Sequence, residues 1–289
     1  MNRRQFLQGS GTGLAALAMA SAGKTELRAR SLGKPIGLAQ FTVRDDMAKD
    51  LEGTLQKIGK IGYQEIELYE FFNKTAPEMR RLLSAHGLTC PSALHFASAL
   101  KSDWEKRIAF AHELGIRFMG CAVLDDAYRT SLEGYRQAAD LFNRCGEQCQ
   151  KAGIQFFYHD HNFEFTVFDG VVAYDELLRR TDPKLVHFEM DCFWVVRAGR
   201  NPLEYLLGYP GRFPLLHIKD LKPGFSPTTA PGERNAFTEV GRGIIDWKRV
   251  FAAAMKGGLR HFFVEQDVCE RPPLESIRIS YDYLKNLDV

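Results

Sequence analysis

Short apolar runs rich in β-branched and aromatic side chains recur along the chain, each followed by a longer stretch in which apolar residues return every three or four positions. The runs read as buried strands and the stretches as helices packed on them, so the alternation predicts βα units around a parallel sheet. Eight runs are found: 36–41, 65–69, 89–95, 117–123, 155–161, 185–191, 215–220 and 261–267. The clearest helical stretches are 46–61, 76–86, 103–114, 132–152 and 247–256, and glycines at 62, 87, 115, 153 and 258 stand where helices should stop. A phrase of helix, Gly and strand recurs at Ile61-Gly62-Tyr63, His86-Gly87-Leu88, Leu114-Gly115-Ile116 and Ala152-Gly153-Ile154, a weak internal repeat.

Eight such units predict a single (β/α)8 TIM barrel, whose usual size of about 250 residues suits a chain of 289. A doubly wound open sheet would announce a Gly-rich phosphate turn after its first strand, and Leu38-Ala39-Gln40-Phe41-Thr42 is not one. Between the seventh and eighth runs lies a long segment, 222–242, rich in Pro, Gly, Ser and Thr; such loops are often lids.

The periodic pattern begins only near residue 35. Before it, Arg3 and Arg4 followed by Phe6 and Leu7 resemble a twin-arginine export signal, Gly9 to Ala20 is weakly apolar and too short to span a bilayer, and Ala20-Ser21-Ala22 reads as a cleavage site. The expected organisation is a signal peptide over 1–22 read by the twin-arginine translocase, a polar leader over 23–34 and the barrel over 35–289, in an exported, periplasmic protein. An uncleaved N-terminal anchor is the alternative. Removing residues 1–22 takes two arginines and no acid from 38 basic and 36 acidic side chains, so the mature chain is near neutral. No basic face marks it for nucleic acid, and a small neutral substrate fits better. The six cysteines sit mostly in apolar stretches; Cys145 and Cys149 are helically spaced with no second pair nearby, which reads as packing. The oligomeric state stays open.

Polar residues gather where a barrel carries its chemistry, at the strand C-termini. Strand five ends YHDHNFEF, strand six HFEMDCFW, strand seven LLHIKDL and strand eight FFVEQD. His159, Asp191, His217 and Glu265 form an expected mixed N/O metal site, since carboxylates at an apolar barrel mouth need a counter-charge that a divalent cation supplies. Alternation along strand five puts His159 and His161 on one face and Tyr158 and Asp160 on the other. A lone strand-end His or Asp is usually a solvated residue or a cap; four in register are not.

The runs YHDHNFEF, MDCFWVVRAGRNP, HIKDL and VGRGIIDW followed by FVEQD resemble the sugar phosphate isomerase/epimerase family with a xylose isomerase-like barrel, over residues 35–287. The resemblance implies one divalent metal, Mn first with Zn, Co, Fe or Mg as alternatives, held by residues ending strands five to eight. Asp191, His217 and Glu265 match that pattern. At strand five the ketose epimerase relatives carry Glu where this chain has His159, as inosose-dehydratase-like members do, which argues against two-Glu epimerisation. Trp194 and Pro223 stand where the epimerases carry His and Arg, which argues against a free ketohexose.

Proton abstraction next to a carbonyl needs a base and a cation at the oxygen where charge develops. Glu265 is the first choice of base, Glu164 or His161 would serve the opposite face, and Lys219 would stabilise or protonate the oxyanion. A surface ion pair is the plainer reading of Lys219 and Asp220. Glu67, His95, His161, Trp194 and Arg242 are candidate substrate contacts, with Glu239 beside Arg242, and Tyr69, Phe71, Phe72, Phe163, Trp194 and Phe225 are candidate apolar walls. The expected activity is a metal-dependent sugar isomerase or epimerase, and the alternative a lyase or hydrolase of a keto-sugar, keto-glycoside or keto-inositol. An abasic-site endonuclease would need more metal ligands and a basic face, and a non-catalytic sugar-binding protein would not need the strand-end set.

Overall fold

The computed structural model describes residues 32–230 and 235–289, so the expected signal over 1–22 and all but the last three residues of the polar leader lie outside the described residues. The eight apolar runs form eight parallel strands: β1 (Gly37–Ala39), β2 (Glu65–Leu68), β3 (Thr89–Phe96), β4 (Phe118–Val123), β5 (Gln155–His159), β6 (Val186–Asp191), β7 (Leu215–Ile218) and β8 (His261–Val264). Each strand pairs with its sequence neighbours, and β8 pairs back onto β1 to close the barrel. Helices cover the outside, among them Ala76–Ala85, Trp104–Leu114, Leu132–Lys151 and Trp247–Lys256, close to the bounds read from periodicity.

Two expectations need adjustment. The helix expected over 46–61 is two, Arg44–Lys49 and Leu51–Ile61, because Asp50 leaves helical geometry (φ −151°, ψ 87°) and its carboxylate accepts the Gly53 N–H as an N-cap. Strands five, seven and eight stop two to three residues before the expected 161, 220 and 267. Side chains take over the backbone there: the His161 N–H donates to Glu164 Oε2 at 2.8 Å, and Asp220–Leu221 turns outward to pair antiparallel with Phe237–Thr238.

That hairpin organises the long segment 222–242 read as a lid-like loop. Asp220 accepts the Gly241, Gly243 and Ile245 N–H groups and the Trp247 indole, tying the loop to the helix after it. Asn162 Nδ2 donates to the Thr228 and Ala230 carbonyls, so part of the loop is fastened over the strand-five end; residues 231–234 lie outside the described residues.

Alternation sends every second side chain of a strand into the lumen. Ala39, Leu94, Phe118, Phe157, Leu215 and Phe263 pack there as an apolar plug separate from the larger core beneath the helices. Glycines make room for it: a Cβ on Gly120 would meet the Phe157 ring at 2.4 Å, and one on Gly37 the Phe263 ring at 2.5 Å. Five of the six free cysteines are buried, Cys145 and Cys149 in the long helix facing the sheet. Among the described residues no helix is long and apolar enough to cross a membrane.

Candidate metal centre and active site

The same alternation that puts Phe157, Leu215 and Phe263 in the plug places His159, His217 and Glu265 two residues further along, on the inner face at the C-terminal mouth. Asp191 ends β6 level with His217. Ligand atoms of His159, Asp191, His217 and Glu265 lie within 4.8 Å of one another, and all four residues are buried.

Asp191 does two jobs with two oxygens. Its Oδ1 caps the helix Cys192–Arg197 by accepting the Phe193 and Trp194 N–H groups at 2.9 and 3.2 Å. Its Oδ2 is left facing the cluster, 3.8 Å from His159 Nε2 and 4.0 Å from His217 Nδ1. The strand-to-helix turn thereby holds a candidate ligand carboxylate rigid.

A layer below, Glu67 and Glu189 hold the histidines. His159 Nδ1 lies 3.1 Å from Glu189 Oε2, which turns Nε2 to the cluster; His217 Nε2 lies 2.6 Å from Glu67 Oε2 and 3.2 Å from Glu189 Oε2, which turns Nδ1 to it. Ser92 Oγ donates to the other Glu67 oxygen at 2.5 Å. Carboxylates behind imidazole ligands fix ring orientation and tautomer. Glu67, expected at the substrate, therefore sits beneath the site, and Glu189, which closes the arrangement, was overlooked in HFEMDCFW although it precedes Asp191 by two on the same face.

Lys219 is buried, with Nζ 2.9 Å from Asp191 Oδ2 and 2.6 Å from both Glu265 Oε2 and Asp267 Oδ1; the surface ion pair is excluded for it and for Asp220 alike. Burial lowers the Lys219 pKa, but Asp191, Asp267 and Glu265 override it and hold it well above the ordinary value. His217 behaves likewise: burial lowers it, while Glu189, Glu265 and Glu67 carry it above the usual imidazole range. Burial raises Glu265, and Lys219 and His217 bring it well below the ordinary carboxylate value. Asp267, also missed from the sequence, is pushed up to about 6 by burial against the pull of Lys219.

This donor set fits a divalent cation. Four buried carboxylates, Glu67, Glu189, Asp191 and Glu265, and the partly exposed Asp267 gather around two imidazoles and one ammonium, and Glu189 Oε1 has no hydrogen-bond partner. Two imidazoles and two carboxylates form a mixed set suited to Mn, Zn, Co or Fe(II).

A cleft of about 700 Å³, open solvent at its mouth included, lies over the cluster. His161, Lys219, Glu265 and Asp267 line its polar side, with Phe41, Tyr69, Leu94, Phe96, Ala122 and Val123 opposite. His161 is held between Phe163 and Trp194, ring centroids 5.2 and 5.4 Å away, and burial brings its pKa to about 3, so the ring is neutral. Trp194 thus buttresses His161 and stands 5.4 Å from the Lys219 ammonium. His95 borders the cleft but packs on Trp104, with Nδ1 3.2 Å from Arg107.

Glu164, Arg242 and Glu239, expected at the site, lie away from the cleft, as Glu67 and Trp194 do. Glu164 is buried behind strand five, where it bonds the Tyr158 hydroxyl and the His161 N–H, and burial pushes its pKa up to about 8. It shapes the turn carrying His161. Arg242 is half exposed beside Glu239, and Glu239 is buried against Arg271 and Ser276, each 2.9 Å away. Of the apolar walls, Phe71 packs on Phe110 instead, and Phe225 lies near Arg197. Phe41 and Phe96 carry no motif and were not anticipated.

Known proteins share this architecture. The inosose dehydratase of Geobacillus kaustophilus is 24% identical over 268 residues, which cover 81% of this chain and 86% of that protein. A sugar phosphate isomerase/epimerase from Parabacteroides distasonis superposes with a TM-score of 0.74 at 24% identity, over 88% of this chain and 94% of that one. The IOLI protein solved with a bound zinc atom superposes at 0.69 with 14% identity, over 86% and 95%. The model of one family, the xylose isomerase-like TIM barrel, matches residues 55–287, and the chain belongs to that family.

Proposed function

We propose that the protein is a divalent-metal-dependent enzyme that removes a proton next to the carbonyl of a sugar or cyclitol ketone from one face, and that a β-hydroxyl then leaves as water. The supporting observation is the asymmetry of the cleft: its carboxylates, Glu265 and Asp267, stand on the β8 side, and the wall from β1 to β4 is lined by apolar side chains and His95. Stereoinversion requires a base on each face; isomerisation and elimination need one. The likeness to an inosose dehydratase favours elimination.

A divalent ion on His159, Asp191, His217 and Glu265 would polarise the substrate carbonyl. Glu265, with one oxygen held by Lys219, offers the other to the C–H. As that proton leaves, the electron pair moves toward the carbonyl oxygen and then expels the β-hydroxyl, which takes a proton and departs as water. Lys219, charged and beside Glu265, stabilises the oxyanion or supplies that proton, and neutral His161 orients a hydroxyl.

Carbonyl transfer to the neighbouring carbon by the same base is the second reading, favoured by the likeness to a sugar phosphate isomerase/epimerase. Incubating the metal-loaded protein with keto-inositols and keto-sugars in D2O and following NMR separates the two: an enone product supports elimination, a rearranged deuterated sugar isomerisation. No exchange or conversion in any substrate would overturn both. We further propose, on Arg3 and Arg4, that the chain is exported to the periplasm by the twin-arginine route.

A further inference from the structure

We infer that the substrate is a keto-sugar carrying a second flat apolar group, rather than a single free ring, and that this group lies on the aromatic wall formed by Phe41, Tyr69 and Phe96. The inference rests on the carbonyl chemistry proposed for the same cleft. That chemistry confines the reacting ring to the β5–β8 side, where every polar group needed to hold it stands. The wall belongs to the opposite half of the barrel, after β1, β2 and β3.

A lone polyhydroxylated ring on the polar floor leaves that wall facing water. Phe96 is 58% exposed and Phe41 37%, and they are the only aromatic rings among the exposed large apolar side chains of the described residues. Scattered exposed aliphatics are ordinary; two phenylalanines on the rim of one cleft are a patch with a place. Phe41 is held in position, its ring edge-on to Tyr69 at 5.9 Å and the Arg44 guanidinium 4.1 Å from its centroid. A fixed aromatic surface selects a flat partner, either an aryl ring or the C–H face of a second pyranose. The shared chemistry is a linked flat apolar face, which a glycoside supplies.

Four probes test this on the metal-loaded full chain by calorimetry: glucose, methyl β-D-glucopyranoside, phenyl β-D-glucopyranoside and cellobiose. The phenyl glucoside, the cellobiose or both should bind about tenfold or more tighter than the methyl glucoside, and which does so identifies the aryl or the sugar source. In F41A/F96A that advantage should disappear while metal content and methyl glucoside binding persist, which shows that the site still folds. Equal affinities for all four, an advantage that survives the double substitution, or no binding of any probe would overturn the inference. So would a change of oligomeric state in F41A/F96A with ligand preference intact, because the wall would then cover a second copy of the chain. Proton exchange on small keto-sugars in D2O, read separately on the wild type, tells failure of this inference from failure of the carbonyl chemistry.

Discussion

Glu67 Oε2 lies 2.6 Å from His217 Nε2, so the imidazole ring nitrogen that faces the cluster is Nδ1, and Glu189 plays the corresponding part for His159. Carboxylates behind ligand imidazoles typically change metal affinity ten- to a hundredfold. Glu67→Gln and Glu189→Gln should each weaken Mn(II) binding by about that factor, measured by titration, with the barrel folded by circular dichroism. Glu67, Glu189 and His217 also stand close enough to hold a cation of their own. A stoichiometry of two ions per chain, or unchanged affinity in both variants, would show that the lower layer does something else.

Removal of a ligand is a harsher change. His217→Ala or Asp191→Asn should leave metal content well below stoichiometric after dialysis against chelator. The plug of Phe157, Leu215 and Phe263 below is untouched, so both variants should remain folded. Full retention of metal in both would mean that the site is misplaced.

The choice of base lies between two carboxylates that share Lys219. Glu265→Gln should slow exchange of the proton next to the substrate carbonyl by about a hundredfold to ten-thousandfold, the usual cost of losing a general base. Asp267→Asn should cost less, because it leaves the cluster complete. If Glu265→Gln keeps its metal and exchanges at the wild-type rate while Asp267→Asn does not, the base is Asp267.

Glu164 predicts a pH dependence of stability. Its folded pKa of about 8 lies above the ordinary 4.5, so the folded chain keeps a proton that the unfolded chain has released. The contribution is complete below pH 4.5 and is lost as pH rises through about 8, a change on the order of 5 kcal/mol for a shift of this size. Glu164→Gln should therefore flatten Tm between pH 5 and 8 relative to wild type. Parallel Tm curves for the two proteins would refute it.

Export is tested at Arg3 and Arg4. Replacing both by Lys should abolish periplasmic accumulation, since a lysine point charge does not reproduce the guanidinium pair. Normal periplasmic yield of the double variant would end that reading.

Periodicity along the chain was enough to determine the barrel. Alternating runs of period two and 3.6 admit few packings, and five glycine stops mark helix ends before the next strand, so every strand start was legible to within about one residue. That His159, Asp191, His217 and Glu265 would gather at the mouth was legible for the same reason: each is a polar residue at the C-terminal end of one of four consecutive strands, and the structure brings the four together. Strand ends were not, because side chains such as Glu164 and Asp220 take over backbone groups from residues distant in sequence.

Depth in the lumen was decided only by the tertiary structure. Glu67 and Glu265 look alike in sequence, each a carboxylate near a strand end, yet strand tilt sets the first beneath His217 and the second above it at the cleft. Glu164 lies close to His159 in sequence but turns behind the strand to Tyr158. Phe41 and Phe96 became a wall only when closure of β1 to β3 brought their loops around one opening. Periodicity reports which face a side chain takes; its height along the barrel axis, and what stands across from it, follow from how the strands stagger when the sheet closes.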